Sequence, residues 1–291
     1  MRCLFCKQDS TQSKSVEHII PESLGNTHHT LPAGVVCDKC NNYFARKVEK
    51  PFLDLSEMQC LRFVESIPNK KGKIPPLYGI LNEKIPVIIH KDVSHLANKE
   101  SSIPRFLISF ESNDFDYHQI NTPVEIITPA FIDSSKINNS IEVSRFVAKI
   151  ALECLAERLY SHKDGLDYLI DESSFDDLRN FARYGCYKIW PCSIRRIYSI
   201  NEEWFGKAGS PYQIMNENDF LIIPSEDKEL IQDQNDIMSV NMYFILCIFG
   251  LEFVINIAGP DSDGLKMYYD WLEEHNNVSP LYSKNQENCN E

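Results

Sequence analysis

Two pairs of cysteines constrain the first fifty residues more than any other feature. Cys3 and Cys6 are spaced Cys-x-x-Cys, as are Cys37 and Cys40, with thirty residues between the pairs. Two residues between thiolates let both sulfurs face one ion from a tight knuckle, and two knuckles close a tetrahedron with no open position. Such a site is structural: it lets a segment too short for a core of its own fold around a metal. Zn2+ is the expected ion, because the spacing matches none of the runs that ligate iron–sulfur clusters. The other six cysteines, Cys60, Cys154, Cys186, Cys192, Cys247 and Cys289, are scattered. Most sit beside apolar residues and read as small core side chains in a reducing compartment.

The apolar share of 43% and charged share of 24% over 291 residues suit an ordinary globular chain. The first residues lack the apolar core of a signal peptide. The longest apolar run, Tyr243 to Ile257, contains Glu252 and Asn256 and is too short to span a bilayer. A cytoplasmic protein with no membrane partner is therefore expected. The net charge of −13 is a poor footprint for coating nucleic acid. Its distribution is uneven. Residues 1–50 hold seven Lys/Arg against five Asp/Glu, and residues 51–291 hold 22 against 37. Contact with nucleic acid should concentrate near the N-terminus.

Between the knuckles lies Glu17-His18-Ile19-Ile20-Pro21-Glu22-Ser23-Leu24-Gly25-Asn26, and after them Asn41-Asn42-Tyr43-Phe44-Ala45-Arg46-Lys47. Together with the cysteines this resembles the HNH endonuclease family, in the branch where two cysteine pairs hold a zinc. The resemblance covers roughly residues 1–50. It implies a ββα-metal fold, a β-hairpin followed by a helix gripping one divalent ion, and hydrolysis of phosphodiester bonds in DNA, with RNA as the alternative substrate. By this resemblance His18 is the general base, a task that a neutral imidazole suits. Glu17 is a hard oxygen ligand for Mg2+ or Mn2+, and Asn41 is the second ligand, with Asn42 as the fallback. The sequence departs from the family where Thr30 to Val36 holds no asparagine, the usual middle letter of the motif; Asn26 lies earlier. The usual terminal histidine is also an asparagine here. His28 and His29 read as exposed loop histidines, with phosphate contact as the sharper alternative. Arg46 and Lys47 are candidate nucleic-acid contacts one turn after Asn42.

The fold class expected is α+β: a small zinc-bound HNH module over residues 1–50, then a larger α+β domain over 51–291 for target recognition or regulation, with the break near Lys50-Pro51. Phe52 to Ile67 reads as helical, with Leu53, Met58, Leu61, Phe63 and Val64 inward. Ile141 to His162 is the clearest helix. It places Val143, Phe146, Val147, Ile150, Ala151 and Cys154 on one side and Arg145, Lys149, Glu153, Glu157 and Arg158 on the other. A second helix runs from about Phe175 to Tyr184, capped by Ser174 and stopped by Gly185. Strands are expected at Ile85–Ile89, Phe106–Phe110, Val124–Ile127, Ile194–Ile200 and Phe220–Ile223, with a hairpin broken at Gly250 and a last helix over Leu265–His275. Arg195 and Arg196 read as surface charge, and Trp190, Trp204 and Trp271 as packing. A role in phage defence or restriction follows from the resemblance alone. The rivals are a non-catalytic zinc-held nucleic-acid-binding module and an RNA-cleaving toxin. A homo-oligomer, or a regulatory partner sensed by the C-terminal domain, are further expectations.

Overall fold

The structure, a computed structural model, describes residues 1–26, 28–69, 71–92, 105–110, 126–127, 139–185, 190–197, 217–224, 240–260 and 262–281. Cys186, Cys289, Trp204 and the polar tail from Ser283 lie outside them. The chain is α+β and divides into two compact units. One comprises Met1–Ile20, Asn26–Phe52 and Asn138–Glu291; the other comprises Pro21–Gly25 and Leu53–Ile137. The units do not follow chain order.

The first unit opens with strands β1 (Glu17–His18) and β2 (Thr30–Leu31), paired antiparallel with Glu17 opposite Leu31. Helix α1 (Asp38–Phe44) follows and runs through a π-helical turn, Ala45–Glu49, into α2 (Lys50–Leu53). The second unit holds α3 (Ser56–Val64) and strands β3 (Leu77–Leu81), β4 (Ile85–Asp92), β5 (Arg105–Phe110) and β6 (Ile126–Ile127). The strands pair antiparallel in the order β5-β4-β3-β6. Cys60 and Phe63 of α3 pack with Leu77, Leu81, Val87 and Ile89. Val64 was expected inside but is exposed, because it falls off this stripe at the end of the helix.

The rest of the first unit contains α4 (Ile141–Tyr160), α5 (Gly165–Asp171), α6 (Asp176–Tyr184), β7 (Cys192–Arg196), β8 (Glu217–Pro224), β9 (Val240–Ile248), β10 (Leu251–Asn256) and α7 (Lys266–Glu274). Its antiparallel sheet has the order β7-β10-β9-β8. Phe249 and Gly250 turn the β9–β10 hairpin, both with positive φ, 51° and 74°, the conformation a two-residue hairpin turn requires. Strand alternation sends Tyr243, Ile245, Cys247 and Val254 toward Tyr268 and Leu272 of α7, and Phe253 to the opposite face, where it meets Phe52. The sheet is thus covered on both faces, and β10 is buried along its whole length.

Helix α4 begins where expected, with the Ser140 hydroxyl accepting from the Val143 N–H. Its polar side differs from expectation: Lys149 and Glu153 are fully buried. The reason is that the N-terminal segment packs there. Phe52 stacks on Phe146 at 3.9 Å with the rings 6° from parallel. Arg2 bonds Asp167 and Asp171 of α5, and Lys7 pairs with Asp176 at 2.6 Å. Tyr43 donates its hydroxyl to the Arg183 carbonyl, and Arg145 donates to the carbonyls of Lys47 and Arg183. Some of the basic charge of the first fifty residues is therefore spent on acidic side chains of the same chain.

Three further readings need correction. Helix α5 escapes the sequence pattern because it is only two turns long and half polar. Ser174 does not cap α6; a 3-10 turn, Ser173–Phe175, precedes it, and the Glu172 carboxylate accepts from the Ser174 N–H, while Gly185 ends the helix at φ 65° as expected. Arg195 is not loose surface charge: its guanidinium donates to the buried carboxylate of Glu252, which also accepts from Tyr268 at 2.7 Å and from Ser279. Trp190 is packed, its Nε1–H donating to the Asn256 carbonyl at 2.7 Å, and Trp271 stacks on His275 at 3.9 Å. Among the described residues, no helix is long and apolar enough to cross a membrane.

Candidate functional site

The two knuckles converge. The sulfurs of Cys3, Cys6, Cys37 and Cys40 all lie within 4.8 Å of one another, and those of Cys6 and Cys37 are 3.7 Å apart. A tetrahedral ion with metal–sulfur bonds of about 2.3 Å has sulfur–sulfur edges of about 3.8 Å, so the thiols fit zinc. Backbone amides face the sulfurs: the Cys37 N–H donates to Cys3 Sγ and the Cys40 N–H to Cys37 Sγ, each at 3.4 Å. The second bond makes Cys37 the N-cap of α1, where the helix dipole favours a thiolate. The hydrogen bond with Cys40 lowers the Cys3 thiol to about 4 and raises Cys40 in turn. Burial raises Cys6. Cysteine ligates a metal as thiolate, so a bound divalent cation would displace the thiol protons.

Around the knuckles, Leu4, Phe5, Ile19, Leu31, Val35, Val36, Phe44 and Val48 form a small core, with Phe5 and Phe44 rings 4.4 Å apart. The first turn of α1 is tied to the chain leading into β1, because Asp38 accepts the N–H groups of Lys14 and Ser15 at 3.0 and 2.8 Å. Those bonds hold its carboxyl below the ordinary range. The first turn of the helix is thereby held to the chain leading into the β-hairpin by the four sulfurs and by Asp38 together.

On this frame the structure places the candidate residues as follows. His18 is half-buried on β1. Asn41 turns toward the residue just ahead of that strand, its Nδ2 donating to the Val16 carbonyl at 3.5 Å, while Asn42 is exposed. Arg46 and Lys47 are exposed on the π-helical turn. Asn26 is 5% exposed and uses both ends of its amide: Nδ2 donates to the carbonyls of Ile20 (2.6 Å) and His29 (3.0 Å), and Oδ1 accepts from the N–H groups of His28 and His29. It clamps the connection between β1 and β2. His28 and His29 are exposed, and His29 Nδ1 lies 3.6 Å from Glu157 Oε1.

Glu17 is the exception. It is 3% exposed, and its Oε1 lies 2.7 Å from the ammonium of Lys149. Burial raises its carboxyl, and Lys149 opposes that shift. A carboxylate enclosed in this way and already paired does not fit a hydrated magnesium or manganese ion, which keeps several waters. Lys149 also holds Glu49 and Glu153, both at 2.9 Å. Burial works against its charge, but the three carboxylates outweigh that and raise its pKa well above the ordinary lysine value. Sequence reasoning assigned Lys149, Glu49 and Glu153 no role. Periodicity carries no signal for them, because Lys149 and Glu153 fall on the same side of α4 as Arg145, Glu157 and Arg158.

Residues 3–55 match the family model described as HNH endonuclease. No curated protein and no solved structure matches the chain. The matched segment contains the four converging cysteines, the β1–β2 hairpin and α1; an HNH endonuclease module, with a zinc-type cysteine site, therefore stands at the N-terminus of this α+β chain.

Proposed function

We propose that the protein is a metal-dependent endonuclease that hydrolyses phosphodiester bonds in DNA, with His18 as the general base. The observation that carries this is the placement of His18: a half-buried imidazole on a two-stranded hairpin, with Asn41 of α1 bonded to Val16 just ahead of that strand. His18 would take the proton of the attacking water, and Asn26 would hold the connection of the hairpin that carries it. Mg2+ or Mn2+, when bound, would supply positive charge beside the leaving oxygen. Asn41, or Asn42, would hold that ion; Glu17, as it stands, would not. Arg46 and Lys47 would neutralise backbone phosphates without reading sequence. The acidic remainder of the chain lowers nonspecific affinity, which suits a nuclease that must not cut at random. The setting proposed is the cytoplasm, where thiols remain reduced for zinc, and the role is restriction or phage defence.

A second reading, a zinc-held module that binds nucleic acid without cutting it, is favoured by the pairing of Glu17 with Lys149. Plasmid DNA and a structured RNA incubated with zinc-loaded protein and Mn2+ decide between them. The wild type should nick or linearise the plasmid, and His18→Ala should abolish this. Equal cleavage by His18→Ala sinks the assignment of the base. Binding without cleavage supports the second reading, and cleavage of RNA alone redirects the substrate. Phage plating on cells expressing wild type or His18→Ala tests the role in defence.

A further inference from the structure

Three carboxylates from three different stretches of backbone converge on one ammonium. Lys149 Nζ lies 2.7 Å from Glu17 Oε1, 2.9 Å from Glu49 Oε1 and 2.9 Å from Glu153 Oε2. Lys149 and Glu153 are wholly buried, and the Glu49 side chain is 15% exposed. The Phe44 ring lies 6.0 Å from Nζ. An ammonium has three hydrogens and no acceptor, so three carboxylates saturate it. Burial makes every arm costly to break, since a released carboxylate would stay enclosed without a partner.

The arms reach the parts of the module that matter for cutting. Glu17 precedes His18 on β1. Glu49 lies about two turns beyond Asn41 along the helix that α1 begins. Glu153, on the same helix as Lys149, holds the lysine side chain itself. One ammonium on α4 thus sets the position of the base relative to Asn41. We propose that Lys149 is a positioning residue of the nuclease site, and that Glu17 serves as an arm of this brace instead of as a ligand of the catalytic ion. This rests on the nuclease reading above. A displacement of about 1 Å between reacting groups costs on the order of a hundredfold in rate, so a brace of this kind acts on kcat.

The test uses the full-length, zinc-loaded protein and the variants Glu17→Gln, Glu49→Gln and Lys149→Met. Three quantities are read: Mn2+ affinity by electron paramagnetic resonance titration, amide exchange in peptides covering residues 14–20 and 40–50, and steady-state plasmid cleavage. Glu17→Gln should bind Mn2+ within about twofold of wild type while kcat falls about tenfold or more at similar KM. Glu49→Gln should keep its zinc, lower kcat about threefold or more, and exchange faster in both segments. Lys149→Met should do the same more strongly. If it fails to fold, Glu49→Gln decides, because its side chain lies at the rim of the cluster. Loss of Mn2+ binding in Glu17→Gln makes Glu17 a ligand and overturns the proposal. So does wild-type kcat and exchange in Glu49→Gln, or faster cleavage by Lys149→Met. A wild type that neither cuts nor binds Mn2+ overturns the nuclease reading itself; the exchange data still judge the brace.

Discussion

Replacing Phe52 by alanine tests whether the N-terminal module and the elements that follow residue 138 are one cooperative body. The Phe52 ring is fully buried, stacked on Phe146 at 3.9 Å and set edge-on to Phe253 at 6.1 Å. Truncation removes the transfer free energy of the ring and leaves a cavity lined by two other rings, which cannot close fully because α4 and β10 are held by their own packing. The expected loss is about 3–5 kcal/mol, of which ring–ring geometry contributes about 0.5–1.5 kcal/mol. Against a total stability of about 5–15 kcal/mol, such a loss is easily measured. Urea unfolding followed by far-ultraviolet circular dichroism and by zinc release, at fixed free zinc, should show both signals shifting together with unchanged slope. A loss below about 1 kcal/mol, or a zinc-release midpoint that stays put while the dichroism transition moves, would refute the reasoning, because the module would then stand by itself.

Other outcomes follow from the same geometry. Cys40→Ser should carry no zinc by elemental analysis and should lose the structure of residues 1–52, since the remaining thiols cannot close a tetrahedron; full zinc occupancy would count against the site. Asn26→Ala removes the donor and acceptor that clamp the β1–β2 connection and should cost about 2–4 kcal/mol in chemical denaturation while leaving zinc bound; a cost under about 0.5 kcal/mol would mean that water replaces the amide. On the acid side, Asp38 is held below 3.8 by the N–H of Ser15 and Asp171 by Arg2. A depressed folded pKa contributes stability that is present above the unfolded value and lost as pH falls through the folded one, so the melting temperature should drop below about pH 4 and Asp38→Asn should flatten that limb. Glu17, raised chiefly by burial, works with the opposite sign: its contribution is greatest below the ordinary glutamate value and declines as pH rises through its raised one. An acid limb unchanged in Asp38→Asn would show that the two backbone bonds do not survive in solution.

Much of the local structure was legible because it rests on causes within a few residues. The Cys-x-x-Cys knuckles need only two intervening residues each, and their convergence follows from the preference of zinc for four sulfurs. The period of Val143, Phe146, Val147, Ile150 and Cys154 identifies α4, and Gly250 marks the hairpin that it turns. The candidate base was legible in the same way, from Glu17-His18-Ile19-Ile20-Pro21 between the knuckles.

What the tertiary structure decided concerns partners far apart in the chain. A helical pattern ranks Lys149 and Glu153 as a solvent face, and only the packing of residues 1–52 against α4 buries them. Arg195 reads as exposed on its own strand, and only β10 and α7 bring it Glu252 and Tyr268. The compact units join stretches far apart in the chain, since compactness follows contacts and not order along the chain. The zinc knuckles therefore belong to the sequence, being short-range chemistry. The environment of Glu17 belongs to the fold: desolvation and a buried ammonium, supplied from more than a hundred residues away, determine what that carboxylate can do.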